Sequence, residues 1–103
     1  MWPGDDAAKQ YLIGLAPFVE DDDWNIFPNP SYNQASLELS ILVGFDVEVT
    51  LLDASGKIYW NMPMHKLESD RINVETSGMP AGIYHVVLRT DHQSVVKKLV
   101  IAR

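Results

Sequence analysis

The chain has no cysteine. That excludes a disulfide framework, a thiolate metal site and a cysteine nucleophile together. It leaves the compartment open and makes the core the sole source of stability. Positive charge is scarce as well: 8 Lys and Arg stand against 14 Asp and Glu, for a net charge of −6. Phosphate backbones are held by Lys and Arg, so no nucleic-acid partner is expected. Long hydrophobic runs are missing, and none approaches the ~18 apolar residues of a membrane-spanning helix. Asp5 and Asp6 stand where a secretory signal would be basic, so residues 1–20 do not read as one. No glycine-rich phosphate loop is present, and neither Ser55-Gly56 nor Ser77-Gly78 lies in a Gly-x-Ser-x-Gly motif. His65, His85 and His92 are the only histidines, and none has a partner at metal-ligand spacing. Glu38, Glu48 and Glu75 fall on the outer faces of expected strands, with nothing pairing them as acid and base. Neither a cofactor nor catalytic chemistry is expected.

What is present is a globular composition. Of 103 residues, 47% are hydrophobic, enough for one domain with one core. The charge is uneven. Residues 1–23 carry Asp5, Asp6, Glu20, Asp21, Asp22 and Asp23 against Lys9, a net of −5. Residues 24–103 hold eight acidic and seven basic side chains, a net of −1. The chain therefore divides into an acidic leader, 1–23, and a nearly neutral body, 24–103. In the leader, Ala8, Tyr11, Leu12 and Leu15 recur at helical spacing behind Asp5 or Asp6 as a cap, although an extended segment fits equally. Tyr11, Leu12, Ile13, Leu15, Phe18 and Val19 are apolar enough for the leader's middle to dock. Asp21-Asp22-Asp23 reads as a solvated hinge, and the run is too compact to supply a calcium site.

The body alternates. Trp24 to Phe27 is a short strand that stops at Pro28-Asn29-Pro30. Two missing backbone donors put that stop at a sheet edge or in a turn. Leu37, Leu39 and Ile41 alternate with Ser36, Glu38 and Ser40, and Val47, Val49 and Leu51 with Asp46, Glu48 and Thr50. Each set predicts a half-buried antiparallel strand, with Gly44 in the turn between them. Asp53-Ala54-Ser55-Gly56 is a tight turn, with Asp53 as local acceptor and Gly56 free to take positive φ. Lys57 to Trp60 is the next strand, broken by Met62-Pro63-Met64. Arg71 to Glu75 follows, with Ile72 and Val74 inward.

The last quarter is a hairpin. Gly78-Met79-Pro80-Ala81-Gly82 is followed by strand 83–90, the loop Asp91-His92-Gln93 and strand 94–103. Tyr84, Val86 and Leu88 share one face; Ile83, His85, Val87 and Arg89 share the other. In the final strand Val95, Lys97, Leu99 and Ile101 share a face opposite Val96, Lys98, Val100 and Ala102. Adjacent Lys97 and Lys98 cannot both avoid the apolar side, so one must reach water from a bulge, a strand end or an edge. A lysine so placed blunts a sheet edge or serves a partner as a handle. About seven short strands with turn chemistry between them predict an all-β, immunoglobulin-like antiparallel β-sandwich.

Several short motifs then fall in order. Ile26-Phe27-Pro28-Asn29-Pro30 resembles the (I/L)-(Y/F)-P-N-P opening of the type A C-terminal sorting domains of the type IX (Por) secretion system. Val49 to Lys57 is similar to that family's V-x-L-x-D-x-x-G-K block, placing Asp53 and Gly56. Ser77 to Tyr84 is similar to its L-P-A-G-x-Y block, placing Gly82 and Tyr84. Ser94 to Ile101 resembles its closing K-K-(L/V)-(V/I) strand. The resemblance spans 24–103. It implies a non-enzymatic immunoglobulin-like tail on a larger secreted protein of Bacteroidetes. Such a tail directs its cargo from the periplasm across the outer membrane to the cell surface or beyond. A sortase-like peptidase then usually removes it, and the cargo is released or attached to anionic lipopolysaccharide. Residues 1–23 would then be the end of the cargo in cis plus the linker, with the cleaved bond inside them. The chain is expected to be a piece of a longer one, with Met1 an added start.

Recognition by the outer-membrane machinery is expected at Lys97, Lys98, Leu99, Val100 and Ile101, through strand addition to an edge with the lysines adding charge specificity. The same edge invites self-association. Pro28, Asn29, Pro30, Asp53, Gly56, Gly82 and Tyr84 are expected to shape the fold. Two rival readings use the same sandwich. One is a noncatalytic carbohydrate-binding or spacer module of a secreted enzyme, with Trp2, Trp24, Tyr59 and Trp60 as a sugar platform. The other is a small periplasmic protein standing alone. A hydrolase ranks behind both.

Overall fold

Apolar alternation along the body becomes seven strands in a computed structural model that describes residues 16–103. They are β1 Asn25–Phe27, β2 Gln34–Glu38, β3 Val47–Asp53, β4 Ile58–Met64, β5 Arg71–Glu75, β6 Gly82–Arg89 and β7 Ser94–Ile101. All pairings between them are antiparallel. One sheet has the order β1-β2-β5 and the other β4-β3-β6-β7. The inner faces of both sheets meet in one apolar layer, as an immunoglobulin-like sandwich requires. Leu37, Val74, Val49, Leu51, Val86, Leu88, Leu99 and Ile101 are all buried there. The inward set on β6 and β7 is the one that the alternation gives: Tyr84, Val86 and Leu88 are buried, and Ile83 and Arg89 are exposed.

Three local expectations are corrected. The strand expected over 36–41 ends at Glu38, and Ser40–Leu42 forms a 3₁₀ turn. Leu39 and Leu42 are fully buried and Ile41 is half-buried, so the helical turn carries Leu42 inward where alternation placed Ile41. Gly44, with φ at +92°, does lie in the connection to β3. That connection crosses between the sheets rather than closing a hairpin. Pro63 does not break its strand either. β4 runs through Met64, with Pro63 opposite Glu48. β4 is an edge strand, where a missing N–H on the outer side costs the sheet nothing.

Around the strands the turns close as their residues dictate. One carboxylate oxygen of Asp53 accepts from the Ser55 N–H at 2.9 Å, the Ser55 hydroxyl at 2.6 Å and the Lys57 N–H at 2.9 Å. Gly56 completes that turn with φ at +92°, a conformation that favours glycine. The Tyr84 hydroxyl donates to the Pro80 carbonyl at 2.5 Å. This resembles the tyrosine corner at the start of the sixth strand of immunoglobulin-type sandwiches. The helix considered through Ala8 to Leu15 lies outside the described residues, as does the docking of Tyr11, Leu12, Ile13 and Leu15; Val19 is buried as expected, whereas Phe18 is 74% exposed.

Candidate recognition edge

β7 ends one side of the four-stranded sheet, so half its backbone groups face away from β6. The segment leading into β2 lies along that open side. Asn29 donates from Nδ2 to the Lys98 carbonyl at 2.9 Å and accepts on Oδ1 from the Val100 N–H at 2.9 Å. Ser31 follows: its N–H donates to the Val100 carbonyl at 2.8 Å, and its carbonyl accepts from the Ala102 N–H at 2.8 Å. Ser31 forms a parallel bridge with Ile101, and its hydroxyl donates to the Pro28 carbonyl. The Phe27–Pro28 and Asn29–Pro30 peptide bonds are both cis. The Pro-Asn-Pro motif is thus a plug for the C-terminal half of the β7 edge. One asparagine amide offers a donor and an acceptor side by side, as a paired strand would. Val96 keeps outward backbone groups that take no hydrogen bond among the described residues.

The two lysines part ways. Lys97 lies on the core-facing side with 18% of its side chain exposed. Its ammonium group sits 5.4 Å from the centroid of Trp24 and 3.0 Å from the Asp21 carboxylate. Lys97 thus helps to cover Trp24, which is 3% exposed, and ends on the exposed Asp21 carboxylate. Lys98 points to the outer face, exposed, opposite His85 on β6. It makes no ion pair among the described residues. Of the other expected recognition residues, Leu99 and Ile101 are each 1% exposed and belong to the core, while Val100 is half-buried on the outer face. The Lys98 carbonyl, the Val100 N–H and carbonyl and the Ala102 N–H on the open side are already engaged. Strand addition there would first require the plug to leave, so the exposed surface at this end of β7 is made of side chains.

Among the described residues the sugar platform does not form. Trp24 is inside, and Tyr59 meets Tyr84 edge-on at 5.4 Å. Trp60 is half-buried against the core, and Trp2 lies outside the described residues. Among the described residues no three His, Asp or Glu side chains gather to hold a metal, and no helix is long and apolar enough to cross a membrane. The histidines are scattered: His65 contacts Asp46 at 2.8 Å, His85 is in mid-sheet and His92 is in the hairpin loop.

Arg103 is a structural residue that alternation does not reveal. Its guanidinium donates to the carbonyl oxygens of Tyr32 and Thr76, and to that of Met79 at 2.7 Å. It ties the chain's end across two loops. The only sequence signal is a lone cation directly after a strand, which is too common to carry weight.

Two comparisons bear on this geometry. A family model described as the secretion system C-terminal sorting domain matches residues 25–102. The chain belongs to that family, the C-terminal sorting domains of type IX secretion. A type IX sorting domain serves as an export address for the cell surface or extracellular space and engages the type IX machinery, in a family that is non-catalytic. In fold the chain is similar to a DUF3244 family protein from Bacteroides vulgatus ATCC 8482, whose crystal structure is described as an immunoglobulin-like β-sandwich. The TM-score is 0.64 at 14% identity, over 76% of this chain and 83% of that one. A search of curated proteins gave no match.

Proposed function

We propose that this domain directs a cargo fused before it across the outer membrane, after transit through the periplasm, and that a sortase-like peptidase then removes it. The domain itself supplies no bond-making chemistry; it supplies a shape and a charge. The reading surface is the outer face at the end of β7, with Lys98 as its charged element. Lys97, Leu99 and Ile101 act on recognition only by holding that face in place.

One observation carries this reading. Of two neighbouring lysines on the terminal edge strand, one is tied inside the fold and the other is presented to water, opposite His85. A charge left at a fixed position on a rigid strand can be read with little ordering cost. The test joins the domain to a reporter in a host with the type IX system. Lys98→Glu should abolish or strongly reduce surface delivery while leaving the melting temperature near that of the parent. Lys97→Ala should lower stability by about 1 kcal/mol, through lost cover on Trp24, and reduce export only in step with unfolding. Delivery of the Lys98→Glu fusion at the parent level, with the domain folded, would refute Lys98 as a contact.

A further inference from the structure

The chain from Ala16 to Trp24 is fastened to the body by side chains rather than by strand pairing. Val19 donates its N–H to Gln93 Oε1 at 2.8 Å, and its carbonyl accepts from Gln93 Nε2 at 2.7 Å. One amide side chain therefore closes on one residue's backbone as a neighbouring strand would. His92 Nε2–H donates to the Ala16 carbonyl oxygen, 2.5 Å away, and the rings of His92 and Phe18 lie 5.2 Å apart. Further on, Asp21 pairs with Lys97 at 3.0 Å. The acidic run between is a 3₁₀ turn, Asp21–Asp23, in which the Asp23 carboxylate accepts from the Glu20 N–H at 2.8 Å. Ala16, Val19 and Trp24 are 4%, 2% and 3% exposed. The strap's contacts, at His92, Gln93 and Lys97, come before those of the Asn29 and Ser31 plug at Lys98 to Ala102, so both run in the direction of β7. Asp21 and Asp22 are exposed, as a solvated run would be, and the Asp21 and Asp23 carboxylates engage Lys97 and the Glu20 N–H.

We infer that the folded sorting unit begins at or before Ala16, and that a peptidase separating the domain from its cargo spares every bond from Ala16 to Trp24. A peptidase takes its substrate as an extended segment free of its neighbours, so bonds in a docked strap are cut only when the strap opens. The broken bond, a carbonyl carbon–nitrogen bond whose acyl side receives hydroxide and whose amine side receives a proton from water, then lies upstream of Ala16. The released domain keeps Asp21, Asp22 and Asp23, and the cargo loses them. This placement rests on the sorting-domain reading only for what the peptidase is for. The strap itself is tested without any secretion system.

The experiment is limited digestion of the 103-residue chain with proteinase K, followed by intact mass measurement. The expected resistant product begins at or before Ala16 and includes the strap. Cutting tracks the population of the open strap when opening is fast. The double variant Gln93→Ala, Asp21→Ala should therefore be cut between Pro17 and Asp23 roughly tenfold or more faster, the opening factor for losing these side-chain bonds. Its body should stay resistant, and circular dichroism should match the parent. Lys98→Ala, which touches no strap residue, should behave as the parent. A parent product that starts within 20–24, formed as fast as in the double variant, would overturn the inference. So would a double variant whose strap is cut no faster than the parent's.

Discussion

Tyr84 joins a turn to a strand with one hydroxyl. Burial first, then the neighbouring Tyr59 and Asp53, push its phenol above the ordinary 10.0. A raised value in the folded state means that the folded protein favours the neutral form. The stabilisation is fully present below pH 10 and is lost as pH rises through the elevated value. Tyr84→Phe should cost about 0.5–1.5 kcal/mol near neutral pH, through the lost bond to Pro80. The gap between parent and variant should close as denaturant melts move into strong alkali. A gap that widens with pH would contradict this assignment. Asp53 has the opposite sign. The Ser55 hydroxyl foremost, and the Lys57 N–H next, hold its carboxyl below the ordinary 3.8. Its contribution is present above that value and fades as pH falls through 3.8 and into the lowered range. Asp53→Asn should therefore melt below the parent at neutral pH and converge with it in acid, as thermal melts from neutral pH into strong acid would reveal.

At the scale of elements, the edge of β7 is where sequence and structure diverge most usefully. Alternation places Leu99 and Ile101 inward and puts Lys97 on the apolar side, and both hold. It also marks Pro28-Asn29-Pro30 as a rigid stop. What it does not reveal is where the stop leans. Asn29 meets Lys98 and Val100 some seventy residues later, and such a pairing has no local signature. The strap escapes for the same reason, because Gln93 and Val19 are distant in sequence and neither is unusual in type. Pro63 misleads because proline is read as a breaker unless the strand is known to be an edge. Asn29→Ala removes the donor and the acceptor that seal β7. The variant should lose about 1–2 kcal/mol and expose a length of unpaired strand, so its sedimentation should become concentration-dependent where the parent's does not. A variant as stable and as dispersed as the parent would mean that the plug is incidental.

The whole molecule is a small sandwich whose two chain regions of greatest consequence lie side by side. Segments 16–21 and 29–31 are fastened to β7 and the loop before it by His92, Gln93, Lys97 and the Lys98–Ala102 backbone, while β1 between them pairs with β2 in the other sheet. Arg103 anchors the far end by its carbonyl contacts. The seven-strand count and the sandwich class are readable from period-two alternation and turn residues, since each strand reports its own buried face. The partition into sheets is not, because alternation says which face is buried and not which strand is the neighbour. The same distinction bears on function. A terminal strand can be an address as a peptide or only as part of a folded surface, and in this domain its inward residues, its plug and its strap all belong to the fold.

The most direct measurement compares two reporter fusions in a host with the type IX system, one ending in residues 94–103 alone and one in residues 16–103. The folded unit should deliver its reporter to the surface, and the isolated strand should leave its reporter inside. Equal delivery by the 94–103 tail would show that the machinery reads a linear peptide, and would contradict recognition of a folded surface.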